Sequence, residues 1–118
     1  MDNEPNIIFS YTRQQAIEDG ILIDVTYDAK NIGIKHPTVI TIGVEEKLEM
    51  GEARSKPELR HARLRDVLYM FAMKAKVTNS DTVYFTVKIG RENVDLWAKC
   101  GPGDTMDPVI TIMLMGED

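Results

Sequence analysis

The chain has 118 residues, 43% of them hydrophobic and 28% charged, a composition that suits a globular domain and excludes collagen-like, coiled-coil, disordered and disulfide-rich chains. Its length predicts one domain over residues 1–118, in which residues 1–6 are loosely ordered. The 14 Lys and Arg against 19 Asp and Glu give a net charge of −5, which argues against non-specific binding of nucleic acid.

A short helix is predicted near the N-terminus, after the apolar run at 7–9. Ser10 or Thr12 can cap a helix over Arg13–Asp19, because their hydroxyls can accept a free N–H of the first turn. Gly20 follows in the position that commonly ends a helix. The next run, 21–26, is rich in β-branched residues and predicts a short strand. Its last residue is then expected to cap one helical turn at 27–31, closed by Gly33.

The segment Pro37–Met50 fits two patterns. Val39 and Thr41 alternate as in a strand. Apolar residues also recur at the i, i+4, i+8 spacing of a helix. These are Ile40, Val44 and Leu48. We expect a helix that begins between Pro37 and Thr41 and that Gly51 ends, with the strand as the alternative.

A long helix is predicted after a polar linker at 52–56. Pro57 suits its first position, and the helical pattern reaches about Val77. One apolar stripe comprises Leu64, Val67, Leu68, Phe71 and Ala75. A second stripe, roughly 140° away at 100° per residue, comprises Leu59, Ala62, Met70, Met73 and Val77. Because one core accounts for one stripe, the second predicts a homo-oligomer, or else packing against 37–50.

The last third of the chain predicts an antiparallel meander of three strands. Alternating apolar residues mark one face of the first two strands. These are Val83, Phe85, Val87 and Ile89, then Val94, Leu96, Ala98 and Cys100. A short connection at 90–93 joins the two, and 109–115 supplies the third strand. The expected fold class is therefore α+β, with this meander packed on the long helix and with short N-terminal helices and one short strand.

Patterns typical of catalysis and metal binding are sparse. The chain has one cysteine, Cys100, and two histidines, His36 and His61. The inward register of Cys100 favours a core cysteine over a nucleophile, and the spacing of Asp104 and Asp107 matches no calcium loop. We expect a non-enzymatic protein without metal or cofactor. The single cysteine and the lack of an apolar leader indicate the cytoplasm, and no apolar run reaches the roughly 20 residues of a membrane helix.

Two groups of basic residues are candidate anion sites. Arg13 follows Tyr11 and Thr12 at the start of the first predicted helix, where a guanidinium and a hydroxyl can hold a phosphate. The long helix carries a second group close to its start. This group comprises Arg60, Arg63 and Arg65. An ordinary Thr cap and a solvated helix end are the structural alternatives.

A turn and two aromatic residues of the predicted meander complete the candidate site. Gly101–Asp104 fits a type II turn with Gly103 at its third position, so its N–H groups can face an anion and Asp104 can accept a ribose hydroxyl. A plain strand connector is the alternative. Trp97 and Tyr84 share the outward register of neighbouring strands, where they can stack on a base or cover an oligomer interface.

Both ends of the chain resemble a family of small uncharacterised proteins carried by phages, plasmids and other mobile elements. The N-terminal part of the resemblance is YTRQQAIEDGILIDV at 11–25. The C-terminal part comprises Gly101–Asp104, 107–114 and Gly116–Asp118. The family supplies no catalytic residues. The resemblance implies an accessory protein that acts inside a bacterial cell.

These observations together predict a binding protein of a mobile element that sequesters an anionic small molecule of nucleotide type, as an anti-defence accessory. The candidate ligand-binding residues are Tyr11, Thr12, Arg13, Arg60, Arg63, Arg65, Trp97, Gly101, Gly103 and Asp104. The alternative is a protein-interaction adaptor or an inhibitor directed at a host defence enzyme.

Overall fold

The computed structural model describes residues 11–117. The α-helices in this range are α1 (Arg13–Glu18), α2 (Thr26–Asn31), α3 (Ile42–Leu48) and α4 (Pro57–Ala75), with a 3-10 helix at Gly51–Ser55. The strands are β1 (Leu22–Asp24), β2 (Thr38–Thr41), β3 (Thr82–Ile89), β4 (Glu92–Pro102) and β5 (Pro108–Leu114).

The strands form one mixed sheet in the order β1-β2-β5-β4-β3. Neighbours are antiparallel except β2 and β5, which run parallel with Val39 opposite Thr111. The strands β3, β4 and β5 pair in succession as predicted, but a sheet of three strands is wrong, because β2 and β1 extend it. Residues 38–40 of β2 are all buried, although their side chains point alternately to the two faces of the sheet. A strand that is covered on both faces shows no alternation of apolar and polar residues, so the sequence pattern does not predict that β2 belongs to this sheet.

The α+β class is confirmed, since α4 covers one face of this sheet. Four residues of its first stripe, Leu64, Val67, Leu68 and Phe71, are buried. The Phe71 ring lies 6.0 Å from that of Phe85 on β3. We call the face under α4 the core face and the opposite one the open face. The helix begins at Pro57 as predicted and ends two residues before the predicted Val77.

The first predicted helix is confirmed as α1. The Thr12 hydroxyl accepts the N–H of Gln15, and the Gln15 side chain accepts the N–H of Thr12, so two free donors of the first turn are satisfied. Gly20 follows with a φ of +79°, which favours glycine at a helix end. Ser10, the apolar run at 7–9 and the predicted loose segment at 1–6 lie outside the described residues.

The predicted cap of the second helix is wrong. Thr26 is the first residue of α2, and Val25 occupies the cap position without a side-chain hydrogen bond to the helix. The Asp24 carboxylate instead accepts both the N–H and the hydroxyl of Thr26, at 3.0 and 2.6 Å. These two hydrogen bonds fix the corner between β1 and the helix α2 that follows it. The strand predicted at 21–26 is β1.

Both patterns of the segment Pro37–Met50 are present, one after the other. The strand β2 takes 38–41, so the prediction of a helix that begins by Thr41 is wrong. The helix α3 starts at Ile42, with the Thr41 hydroxyl accepting the N–H of Val44. The helix ends at Leu48, and the predicted polar linker forms the 3-10 helix from Gly51.

The predicted turn at Gly101–Asp104 is displaced. Gly101 and Pro102 belong to β4 and pair with 109 and 108 of β5. Gly103 donates its N–H to the Asp107 carbonyl and has no positive φ, so the type II geometry is excluded. A Cβ on Gly103 would lie 2.9 Å from a methyl of Val109, so packing explains the glycine.

Candidate functional site

The open face carries a row of side chains from three adjacent strands. Tyr84 on β3 lies opposite Trp97 on β4, which lies opposite Met113 on β5. The next row places Lys99 beside Thr111. These residues share one face because side chains alternate along each strand. The outward register predicted for Tyr84 and Trp97 is confirmed.

The two aromatic rings of this row are stacked. The ring centroids of Tyr84 and Trp97 are 6.3 Å apart, and the ring planes differ by 20°. The indole N–H of Trp97 donates to the carbonyls of Leu114 and Glu117, both at 3.1 Å. Trp97 is therefore held in place by the backbone after β5, whereas Tyr84 remains exposed. The pair presents a preformed aromatic surface.

The carboxylate of Glu117 ties the chain after β5 to the start of α3. One of its oxygens accepts the Thr41 hydroxyl at 2.8 Å and the Leu114 N–H at 2.7 Å. The other oxygen lies 2.7 Å from where a Cβ of Gly43 would be, so a larger residue at 43 would displace the carboxylate. This contact forms one end of a cleft on the open face.

The cleft has a volume of about 570 Å³. It is lined by Ile21, Leu22, Thr41, Ile42, Lys99, Thr111, Met113 and Glu117. A mostly apolar cavity with a few convergent polar groups, between about 300 and 1,000 Å³, is the usual form of a small-molecule site. Here the polar groups are two hydroxyls, one carboxylate and the Lys99 ammonium. The Thr41 hydroxyl already donates to the Glu117 carboxylate, so the Lys99 ammonium and the Thr111 hydroxyl are the groups that can face an anionic part of a ligand with an apolar body.

Arg13 and Asp104, predicted from opposite ends of the chain, are brought together at the border of this face. The Asp104 carboxylate accepts the backbone N–H groups of Arg13 and Gln14, at 2.7 and 3.0 Å. The Arg13 guanidinium donates to the Thr111 hydroxyl at 2.7 Å and the Ile110 carbonyl at 2.8 Å. Burial lowers the pKa of this guanidinium, and the charge of Asp104 opposes that shift. Both side chains join α1 to the C-terminal strands.

The arginines predicted on the long helix lie elsewhere and make structural contacts. Arg60 donates to both carboxylate oxygens of Glu45 on α3. Burial raises the pKa of the Glu45 carboxyl, but hydrogen bonds to Arg60 and Glu49 and the charge of Arg60 together outweigh burial, so this pKa lies below its usual value. Arg63 donates to the carbonyls of Leu48 and Met50, where α3 ends. Arg65 is exposed.

The remaining predicted residues do not converge on one ligand position. Tyr11 is exposed and donates its hydroxyl to Asp19 at 2.6 Å. Thr12 serves as the cap of α1, and Gly101 lies inside β4. Within the described residues, the structure thus gathers part of the predicted set at the open face and leaves the α4 arginines outside it.

Sequence reasoning missed several residues that form the cleft. Lys99 and Met113 could have been found, because Lys99 alternates with Trp97 along β4 and Met113 lies in the third predicted strand. Glu117 and Thr41 carried no such signal, since their contact spans 76 residues of sequence.

The single cysteine lies away from the open face. Cys100 packs against the core cluster, as its register predicts. Burial, and then the negative charge of Asp81, raise the pKa of its thiol. A raised thiol pKa disfavours the thiolate, which is the nucleophilic form.

The molecule is thus an α+β protein with a small-molecule-sized cleft on the open face of a mixed five-stranded sheet. The chain belongs to the family of unknown function DUF6573, whose model matches residues 2–118. The match includes both ends of the chain on which the resemblance rests. No curated protein and no solved structure matches the chain. Among the helices of residues 11–117, none has the length and apolar character needed to cross a bilayer.

Proposed function

We propose that this protein is a non-enzymatic binding protein that sequesters an anionic small molecule of nucleotide type in the cleft of the open face. The observation that carries the proposal is the cleft itself, where an apolar floor, the Lys99 ammonium and the Thr111 hydroxyl meet beside a stacked aromatic pair. An aromatic ring system fits apolar and aromatic surfaces, and a phosphate fits an ammonium and a hydroxyl donor.

Lys99 takes the role that the sequence pattern assigned to the arginines. The guanidinium of Arg13 already donates to Thr111 and Ile110, and that of Arg60 to Glu45. Lys99 instead lines the cleft with its side chain at the exposed side of β4. A lysine there supplies a point charge for a phosphate, while Arg13 positions Thr111 in the wall.

The biological setting is proposed from the resemblance to proteins of mobile elements. An accessory protein that binds a nucleotide signal tightly, without turnover, would lower the concentration of that signal inside a bacterial cell. Such an activity would suit an anti-defence role, because many signals are effective only above a threshold concentration. The proposal therefore requires tight, stoichiometric binding rather than catalysis.

The direct test is to denature the purified full chain, identify any released nucleotide by absorbance and mass spectrometry, and titrate a panel of cyclic and linear nucleotides by calorimetry. At least one nucleotide should bind. Lys99→Gln should then raise its Kd at least about tenfold, since a charge-assisted contact is worth roughly 1.5–3 kcal/mol.

Lys88→Gln is the matched control, because Lys88 is an exposed lysine on the open side of β3 and does not line the cleft. Its Kd should stay within about twofold of the wild-type value. Equal weakening by both variants would show a general charge effect and would contradict a site at the cleft. If no nucleotide is released and none binds, the proposal is wrong, and the alternative function, a protein-interaction adaptor or a protein-directed inhibitor, is favoured.

A further inference from the structure

The charged groups that line the cleft lie at separate ends of it. Lys99 and Thr111 are partners on β4 and β5 and lie at one end. Thr41 lies two residues beyond Val39, the partner of Thr111 on β2, and its hydroxyl donates to the Glu117 carboxylate. Of the described residues that line the cleft, Lys99 is the only cation and Glu117 the only carboxylate. We call the Lys99 side the cationic end of the cleft and the Glu117 side its anionic end.

The two ends are separated by a distance comparable with the span of one nucleotide. The Glu117 carboxylate accepts the N–H of Leu114, which lies three residues beyond Thr111 on β5. At about 3.3 Å per residue, these two positions on the strand are about 10 Å apart. A ligand that fills the cleft therefore has one part beside Lys99 and Thr111 and another part beside Glu117.

The cationic end offers two kinds of donor to an anion. The Thr111 hydroxyl accepts from the Arg13 guanidinium at 2.7 Å, so its own proton remains available for a ligand. The Lys99 ammonium supplies a point charge beside it. Together they match the two non-bridging oxygens of a phosphodiester, which carries a single negative charge. A terminal phosphate has a third such oxygen and a charge of about −1.5 to −2 at pH 7.

The surroundings of the cleft do not provide positive charge for a more highly charged ligand. Arg13 lies behind the cationic end, but the charges of Asp24 and Asp104 both act on its guanidinium. Counted with Lys99 and Glu117, these groups are two cations and three carboxylates. A second phosphate that extends along the cleft is therefore not neutralised.

The charge at the anionic end also disfavours a second phosphate. In the described part of the chain, the Glu117 carboxylate accepts from the Thr41 hydroxyl and the Leu114 N–H, which are neutral donors, and it forms no ion pair. Its negative charge therefore repels a phosphate placed beside it. A nucleobase is neutral and carries N–H groups, so it is the part of a nucleotide that suits a carboxylate.

We infer that the ligand of the cleft is a nucleotide with a single phosphodiester, a cyclic mononucleotide, bound with its phosphate beside Lys99 and Thr111 and its base toward Glu117. The inference rests on the proposed function, because it specifies which class of nucleotide the same cleft takes. A linear triphosphate and a cyclic dinucleotide both bring more negative charge into the cleft than Lys99 can neutralise.

The test is calorimetric titration of the full chain with nucleotides that share the same bases. A cyclic mononucleotide should have a lower Kd than the linear monophosphate of its base. Its Kd should be at least about tenfold lower than those of the triphosphate and the cyclic dinucleotide, because like charges at the anionic end cost affinity. If any of these three binds as tightly as the cyclic mononucleotide, the inference is wrong while the proposed function stands. If no nucleotide binds, both are wrong.

The role of the anionic end is tested by Glu117→Gln, which removes the charge but keeps an oxygen that can accept from Thr41 and Leu114. The ratio of the Kd of the triphosphate to that of the cyclic mononucleotide should fall at least about threefold. Glu58→Gln, an exposed substitution in the first turn of α4 and outside the cleft, is the matched control and should leave this ratio unchanged. A ratio that Glu117→Gln leaves unchanged, or that both variants lower equally, would overturn the inference.

Discussion

The two faces of the sheet differ in how burial is distributed. On the core face, the apolar residues of β3 from Val83 to Ile89 and those of β4 from Val94 to Ala98 are buried beneath the helices. On the open face, burial depends on the strand: Tyr84 at the edge of the sheet is 57% exposed, whereas Met113 and Val39 nearer its centre are 5% and 1% exposed. Alternation therefore predicts which face a residue occupies, but the position of its strand in the sheet decides whether the second face is also covered. The cleft lies on the open face, where residues of β1, β2, β4 and β5 meet the segment that follows β5.

The largest effect is expected from opening a cavity on the core face. Leu96, on β4, is 1% exposed. Leu96→Ala should lower the free energy of unfolding by about 2–5 kcal/mol, since it removes buried methyl groups and leaves a void. Lys99→Gln, on the open face of the same strand, should change it by less than about 0.5 kcal/mol. Denaturant unfolding of both variants measures this difference. Similar losses in the free energy of unfolding would show that the two faces contribute equally to stability at these positions.

The next effect concerns Arg13 and Asp104, whose hydrogen bonds anchor α1 to the C-terminal strands at the border of the open face. Arg13→Ala leaves the Ile110 carbonyl and the Thr111 hydroxyl without their charged donor. We expect a loss of about 1.5–3 kcal/mol in the free energy of unfolding, the range for hydrogen bonds to charged groups. Arg65→Ala, which removes an exposed arginine, is the control. An Arg13→Ala variant as stable as this control would mean that Arg13 is available for a ligand instead.

A smaller effect is expected at the other half of the same anchor. Asp104→Ala removes the carboxylate that accepts two N–H groups at the start of α1, and should cost about 1 kcal/mol. Asp107→Ala, in the same connection, serves as the control because its carboxylate contacts only the local Thr105 in the described structure. The Tm of the two variants in thermal unfolding distinguishes them. An equal fall in Tm would show that the Asp104 carboxylate does not stabilise the start of α1.

An effect of about the same size, which depends on pH, is expected at the ion pair that joins α3 to α4. Glu45→Gln keeps an acceptor for Arg60 and should cost about 1 kcal/mol at pH 7. The pKa of Glu45 lies below its usual value of 4.5, so the charged pair stabilises the fold fully above that value. This contribution is lost as the pH falls through the lower pKa of the folded state. The stability difference between wild type and variant should therefore shrink in acid. A difference that grows in acid would mean that folding raises the pKa of Glu45 instead of lowering it.

The sequence by itself determined part of the local structure of the chain. The start of α4 at Pro57 and the inward registers of β3 and β4 depend on residues a few positions apart and were predicted, and Thr12 is one of the two caps predicted for α1. The shared outward register of Tyr84 and Trp97 also followed from alternation, whereas their stacking on each other is seen only in the structure. Two cleft residues, Lys99 and Met113, were accessible to the same argument.

Only the tertiary structure decided how the two ends of the chain meet. The parallel pairing of β2 with β5 joins Val39 to Thr111, and the carboxylates of Asp104 and Glu117 accept hydrogen bonds from Arg13 and Thr41, 91 and 76 residues earlier in the sequence. Such contacts have no periodic signature, because their geometry depends on the assembled sheet. Arg13, Arg60 and Arg63 show the consequence: their local pattern suited an anion, but the folded chain supplies carbonyl, hydroxyl and carboxylate acceptors that already bind them.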